Sequence, residues 1–363
     1  MRLFFDARYI RTDFHDGISR YSAELAAAVA DAAPAGDVEV TFLIHDPAQR
    51  DLLPADAVTL MLHAPTSVRE PFTARILNRH RPDVVFSPMQ TIGSAGRRFG
   101  LILTLHDTIY YRHRTPPRAL PWPVRVGWRI FHLSYWPQRF TLNAADLVAT
   151  VSETSARQFA RVRLTRRPVV VVPNAPQRLA ELLPAGAQVE GEPVRNLVYM
   201  GSFMPYKNVE TLVAAMRRLP DHTLHLLSRI TPERRAQLGA GGGNIVFHDG
   251  VTDAEYAALL ADHAALVTMS LDEGYGLPVA EALALGVPAV ITDMEIFREV
   301  AGGGALYVDP LDPAAVATAV RSLDDPGVRN ALVAAGTAHI ATFDWGRSAG
   351  ILLAAARDLA RSR

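Results

Sequence analysis

At 363 residues the chain exceeds the usual size of a single core, so two domains are expected. Lysine plus arginine equals aspartate plus glutamate, 37 of each, which removes the basic field that nucleic-acid binding draws on. Cysteine is absent, so disulfides, thiolate nucleophiles and cysteine-ligated metals are all excluded.

Residues 1–6 become charged too soon for a signal peptide, and no apolar run reaches the roughly 18 residues of a membrane span. The expectation is a cytoplasmic protein. Short apolar runs alternate with amphipathic stretches from there on, which is the βαβα pattern of a parallel sheet. Residues 3–5 read as a first strand. Residues 18–30 read as a helix, with Ile18, Tyr21, Leu25 and Val29 near helical spacing. Strands are predicted over 38–44, 84–86, 101–105, 147–151 and 169–172. Between 173 and 193 periodicity fades and Pro, Ala, Gly and Gln become frequent, as in a linker.

A second series follows: strands over 197–200, 224–227, 245–247, 266–269 and 289–291, a helix over 208–219, and a closing helix over 346–359. The fold class read from this order is α/β. Two Rossmann-like, doubly wound domains are expected, 1–175 and 176–345, facing across a cleft at the carboxyl ends of their strands, where ligands bind in such sheets.

The densest chemical signal is Glu273-Gly-Tyr-Gly-Leu-Pro-Val-Ala-Glu281. Pro278 suits the first turn of a helix, which places Gly274, Tyr275, Gly276 and Leu277 at its mouth. Free N–H groups and the positive end of the helix dipole would make an anion-binding corner there. Glu273 would stand in the loop before it and Glu281 on the first turn, one carboxylate on either side for hydroxyl groups. A solvated strand–loop–helix corner is the plainer alternative.

A second layout of this kind is Gly201-Ser-Phe-Met-Pro-Tyr-Lys207-Asn208 after the strand over 197–200. Gly201 permits close backbone approach, Lys207 offers a mobile point charge for a diphosphate, and Asn208 or its neighbourhood would cap the next helix. Thr252-Asp-Ala-Glu255 reads as a capping box and Ser152 as an N-cap. In the first half, His106 ends a strand and points toward ligand rather than core. Gly17 stands at the mouth of the first helix. His106, His113 and His132 are scattered, and no Asp-x-Asp pattern accompanies them, so no metal site is expected. No Gly-x-Ser-x-Gly elbow supports a serine hydrolase.

From Thr108 to Ala145 there is no acid, while arginines 112, 114, 118, 125, 129 and 139 interleave with Trp122, Trp128, Phe131, Tyr135 and Trp136. Such a stretch suits an anionic membrane surface or a lipid-diphosphate acceptor. A helix with core aromatics and solvated arginines is the alternative.

The two acids resemble the E-x7-E motif of retaining GT-B glycosyltransferases, the family 4-like group with many mannosyltransferases. The Gly201–Lys207–Asn208 run and the His106-Asp107 pair are similar to that family as well. The resemblance implies a metal- and cofactor-independent enzyme. It would move a hexose from a nucleotide sugar, GDP-mannose favoured, to a glycan or lipid-linked acceptor. It further implies that Glu273 contacts donor-sugar hydroxyls, Glu281 the ribose, Lys207 the diphosphate and His106 the sugar near the reacting carbon. The closing helix, 346–363, would pack back on the first domain. Many members carry a second basic residue at the Gly201–Lys207 loop; Tyr206 and Ser202 stand here instead, which leaves Arg229 as the replacement to examine. Two other functions stay open on this architecture: a sugar-nucleotide epimerase, and a non-catalytic nucleotide-sugar-binding partner of a transferase. The stretch 112–139 adds to the expected cytoplasmic location a peripheral contact at the inner face of the plasma membrane.

Overall fold

The apolar runs form strands, and each half of the chain lays them into one parallel sheet. The computed structural model describes every residue except 14–15, 34–36, 117–120, 185–188 and 190–192. Arg118, one of the six arginines singled out above, lies outside the described residues. In the first half the strands are β1 (Arg2–Asp6), β2 (Glu39–Ile44), β3 (Val58–Met61), β4 (Val84–Ser87), β5 (Gly100–Thr104), β6 (Leu147–Thr150) and β7 (Val169–Val171). The helices among them are α1 (Gly17–Ala32), α2 (Thr73–Leu77), α3 (Ile109–Arg112), α4 (Trp122–Phe131), α5 (Trp136–Asn143) and α6 (Glu153–Arg161).

The second half carries β8 (Asn196–Tyr199), β9 (Thr223–Leu226), β10 (Ile245–Phe247), β11 (Ala264–Thr268), β12 (Ala289–Thr292) and β13 (Ala305–Val308). Its helices are α7 (Val209–Met216), α8 (Pro232–Gly239), α9 (Asp253–Ala261), α10 (Leu277–Ala284), α11 (Glu295–Ala301), α12 (Pro313–Ser322) and α13 (Pro326–Ile340), and α14 (Trp345–Arg361) closes the chain. The molecule comprises two compact units, Met1–Asn174 with Asp344–Arg363, and Ala175–Phe343.

The first sheet runs β3-β2-β1-β4-β5-β6-β7 and the second β10-β9-β8-β11-β12-β13. Every pairing is parallel, with Phe5 opposite Phe42 and Phe86 in the first sheet and Leu266 opposite Val198 and Ala289 in the second. Both orders reverse direction beside the first strand of the series, between β1 and β4 and between β8 and β11. In open α/β sheets, that reversal leaves a crevice beyond the strands' carboxyl ends. Central strands are buried on both faces, as helices on both sides require, and so read as continuous apolar runs: all of β4, β5, β11 and β12 is buried.

Two strands escaped the sequence prediction, β3 and β13. Both are edge strands with only one neighbour. In β3 Val58 and Met61 face solvent, so no continuous apolar run marks it.

α14 belongs to the first unit although it ends the chain. Asp344 caps it by accepting from Arg347 N, and Ser348 Oγ donates to Pro173 O at 2.7 Å. Ala349, Leu352, Leu353 and Ala356 repeat at helical spacing and are buried, and the helix packs on α1 and beside β4 and β5. Gly100 lets the Leu359 side chain lie close, since a Cβ there would stand 2.9 Å from it. Leu352→Ala is therefore expected to destabilise the first unit by about 2–5 kcal/mol in urea unfolding. A change below about 1 kcal/mol would show that the terminal helix is not part of that core.

Candidate functional site

Three loops meet at the carboxyl edge of the second sheet, at the β8/β11 reversal. The loop after β8 carries Lys207, and the loop after β11 carries Glu273. Lys207 Nζ and Glu273 Oε1 are 2.5 Å apart, with side chains 16% and 13% exposed, so the pair is largely shielded from water. Leu271 N donates to the Tyr206 carbonyl at 2.7 Å, which fastens the two loops. Asn208 adds the third. Its backbone is left-handed (φ 49°), and its Nδ2 donates to Met269 O at 3.1 Å and to Pro310 O at 2.7 Å. The amide thus ties the end of β11 and the loop after β13 to the loop that holds the lysine. The expected helix cap at Asn208 is not formed by this side chain; its Oδ1 accepts from Thr211 Oγ1 instead.

Gly201 turns the chain immediately after β8, and a Cβ there would stand 2.8 Å from Tyr199 Oη. The Tyr199 hydroxyl donates to Ser202 O at 2.8 Å. Burial above all, with Glu273 and Glu210 adding to it, pushes that phenol well above its ordinary range, so it stays a neutral donor.

α10 begins at Leu277, with Pro278 in its first turn and no side-chain cap at its N-terminus. Gly276 sits before it at φ 97°, and a Cβ there would meet the Phe297 ring at 2.6 Å, so both backbone and space demand glycine. Glu281 was expected on the first turn. It is the fifth helical residue, on the second turn, because the helix starts at Leu277, and it is buried at 3% exposure. Cα–Cβ bonds tilt toward a helix's N-terminus, so a glutamate one turn in still leans toward the helix mouth. Tyr275 does not present its ring to a ligand: the ring is buried, edge-on to Phe343 at 6.4 Å. What Tyr275, like Gly274, can offer at this corner is backbone.

Arg229 is exposed and lies over the turn at Gly250, where a Cβ would stand 3.3 Å from its Cγ, while the ion partner of Lys207 is Glu273. In the same loop region the Thr252–Glu255 capping box is formed in both directions.

In the first unit, His106 follows β5. Its Nε2 lies 2.9 Å from Pro88 O, and since a carbonyl only accepts, Nε2 carries the proton and Nδ1 is left as the acceptor. Tyr21 packs edge-on against the imidazole at 5.0 Å, and Ser155 Oγ donates to His106 O at 2.9 Å. Burial lowers the His106 pKa below 6.5, a pull that the Pro88 carbonyl and Asp16 offset only in part, so the ring is neutral near pH 7. The mouth of α1 is not an open anion site. Asp16 already caps it, accepting from Ile18 N and Ser19 N beside Gly17. Ser152 caps α6 as expected.

At the β1/β4 reversal stands a charged cluster that the motif search passed over. Asp6 and Arg8 are buried and paired through two bonds, 2.7 and 3.0 Å. Arg8 makes two more, 2.8 and 3.0 Å, to Glu70, which also meets His63 Nε2 at 3.0 Å. Ser87 Oγ donates to Asp6 Oδ2 from the end of β4. This network fixes the turn that leaves β1. Arg8 and Glu70 lie 62 residues apart in sequence, so local spacing carries no trace of the link between them.

Two parallel sheets of Rossmann order, one with a cation–carboxylate pair and an uncapped helix N-terminus at its crevice, define the GT-B fold class. Comparisons with known proteins agree. A family model described as glycosyl transferase 4-like domain matches residues 16–175, and one described as glycosyl transferases group 1 matches residues 194–325. The chain belongs to this glycosyltransferase family. It is 29% identical to O-antigen chain mannosyltransferase B of Escherichia coli over 225 residues, covering 56% of this chain and 58% of that one. It is 29% identical over 161 residues to a phosphatidyl-myo-inositol mannosyltransferase of Mycolicibacterium smegmatis, covering 42% of each. The chain thus spans about half the length of these curated relatives. Among solved structures it is similar to sucrose-phosphate synthase of Thermosynechococcus elongatus, with TM-score 0.76, 20% identity and full coverage of both chains. It is also similar to HepE of Anabaena in complex with UDP and glucose, with TM-score 0.71, 16% identity and coverage of 97% and 98%. At these identities the structures speak for the fold.

Asn208→Gly keeps the left-handed backbone and removes both amide bonds. It is expected to cost about 1–3 kcal/mol in urea unfolding, because the Met269 and Pro310 carbonyls lose a donor. Asn208→Ala should cost about 1–2 kcal/mol more, from the backbone alone. Glycine and wild type within about 0.5 kcal/mol of each other would mean that the amide does not hold the loops together.

Proposed function

We propose that this chain is a retaining, metal-independent hexosyltransferase. It moves mannose in the first instance, with GDP-mannose as donor, to a glycan or lipid-linked acceptor hydroxyl in cell-envelope glycolipid or polysaccharide synthesis. The observation that carries the reading is the shielded Lys207–Glu273 pair, 2.5 Å apart, beside the uncapped start of α10. The Glu273 carboxylate occupies the lysine as a phosphate oxygen would. A donor diphosphate would take over Lys207, helped by the N–H groups near Gly276 and Leu277 and by the helix dipole. Glu273 would then be released to the sugar hydroxyls, and Glu281 would hold the ribose. Arg229, on the Gly250 turn, is a supplementary cation in this scheme. The relatives named above as mannosyltransferases support the choice of sugar.

Chemistry would follow by front-face displacement. The bond from the acceptor oxygen to the anomeric carbon forms as the bond to the phosphate oxygen breaks, on the same face of the sugar. The departing diphosphate takes up the acceptor's proton. No enzyme nucleophile is needed. The protein positions the partners and stabilises charge on the leaving group, which grows as the bond breaks. His106 would contact the donor sugar near its reacting carbon, with Nδ1 accepting from a hydroxyl. No cofactor is assigned; the nucleotide sugar is a substrate.

The test is incubation with labelled sugar nucleotides, with and without polyprenol phosphate or glycolipid acceptors. GDP-mannose turnover that requires acceptor is expected. Turnover without acceptor, yielding an isomer, would make the protein an epimerase and overturn the proposal. Lys207→Ala is expected to lower kcat/KM by about 10² or more, as loss of a strong transition-state contact does, whereas Glu281→Ala should chiefly raise the donor KM. An unchanged rate for Lys207→Ala would remove the lysine from the site. The neutral form of His106 is the working form and its pKa is lowered, so its loss of function on acidification falls below pH 6.5. In a pH profile of kcat/KM this acid limb should disappear in His106→Asn. A limb that persists unchanged in that variant belongs to another group.

A further inference from the structure

α4 has no buried residue, although six of its ten side chains are large and apolar. A helix of that composition ordinarily turns an apolar stripe into the core. Here the side with Trp128 and Phe131 packs on an aromatic cluster: Trp128 meets Tyr110 at 5.0 Å and His132 at 4.1 Å, and Phe131 meets His132 at 5.1 Å. The opposite side carries Trp122, Val126 and Ile130 at helical spacing, and they are 75%, 46% and 63% exposed. α5 continues the surface with Trp136 and Phe140, stacked at 6.5 Å and 70% and 74% exposed. Seven of the seventeen large apolar side chains exposed among the described residues fall within 122–140, a concentration in one short stretch and not scatter.

Charge decides what the patch fits. Arg125 and Arg129 stand one turn apart along the edge of the exposed apolar side, and no acid occurs between Thr108 and Ala145. The basic surface is narrower than the sequence suggests. Arg139 donates to the carbonyls of Val162 and Arg163 at the end of α6, and Arg112 donates to Thr108 and Gln158, so both act within the fold. Arg114 Nε donates to Tyr111 O. A second copy of this chain would set arginines against arginines. A phosphate-rich lipid surface complements them, while tryptophan and aliphatic side chains enter the boundary between headgroups and acyl chains. No helix of the described residues is long and apolar enough to cross a membrane, so the contact would be in the plane of the interface.

We propose that the outer faces of α4 and α5 form an interfacial docking surface for anionic lipid. Trp122, Val126, Ile130, Trp136 and Phe140 insert, and Arg125 and Arg129 bind headgroup phosphates. The surface recruits the protein to a membrane with or without a sugar donor.

The test is co-sedimentation of the full chain with vesicles of phosphatidylcholine alone and of phosphatidylcholine with phosphatidylglycerol, in the absence of any sugar nucleotide. The result therefore does not depend on the proposed chemistry. Wild type should bind the anionic vesicles, more weakly as salt rises, with Trp fluorescence quenched by brominated acyl chains. R125E/R129E should weaken binding at least about tenfold, since each basic residue near an anionic surface contributes substantially. W122S/I130S tests insertion separately and should remove the quenching in part, with an unfolding temperature close to wild type because both sites are exposed; R129E alone, at an exposed site, should weaken binding in the same direction as R125E/R129E. Absence of binding to anionic vesicles would overturn the proposal, as would equal binding by R125E/R129E. So would self-association in sedimentation velocity without vesicle binding, which would assign the patch to a second copy.

Discussion

The second unit is organised around a cation and a carboxylate drawn from two loops on either side of a strand-order reversal. Lys207 and Glu273 are 66 residues apart in sequence and 2.5 Å apart in the fold. Each side chain is mostly removed from water, where an unpartnered charge is expensive. The pair therefore constrains the two loops as strongly as they constrain it. The surrounding construction serves the same end: Asn208 laces three loop ends together, and Leu271 N binds Tyr206 O. Gly276 admits the Phe297 ring where any Cβ would collide. An anion with more oxygens than a carboxylate, offered to the same lysine and to the start of α10, is the ligand such a corner would exchange for Glu273.

The two sheets share their order around the first strand but use their crevices differently. In the first unit the reversal is filled by Asp6, Arg8, Glu70 and His63, all satisfied by one another and buried or nearly so. In the second, the charged pair is joined by an uncapped helix start. Buried, mutually saturated charges make a rigid wall; a pair beside a helix start that no side chain caps makes a place that can change partners. That contrast in local chemistry, more than the fold, assigns the nucleotide sugar to the second unit in the proposed function.

Much of this was legible in the chain. Central strands are buried on both faces and so leave continuous apolar runs, which is why β1, β4, β5, β8 and β11 could be placed within a residue or two. Glu273, Gly276 and Lys207 sit at strand ends and helix mouths, where glycine, proline and charge follow local rules. What was not legible depends on partners distant in sequence. The edge strand β3 leaves Val58 and Met61 exposed and shows no continuous apolar run, unlike the edge strands β7 and β10. Glu281 was put in the first turn and not at the start of the second because Leu277, one residue before Pro278, opens the helix. Tyr275 looked like a ligand contact, yet its ring is claimed by Phe343, 68 positions on. Asn208 looked like a cap, and only the positions of Met269 and Pro310 reveal that its amide is a tie between loops.

The central claim is that an activated sugar's diphosphate replaces Glu273 at Lys207. A crystal structure of the protein with GDP-mannose bound addresses it most directly. The account predicts diphosphate oxygens within hydrogen-bond reach of Lys207 Nζ and of the amides at the start of α10, the ribose against Glu281, and Glu273 turned to the sugar. A diphosphate bound elsewhere, with Lys207 and Glu273 still paired as in the free protein, would contradict it.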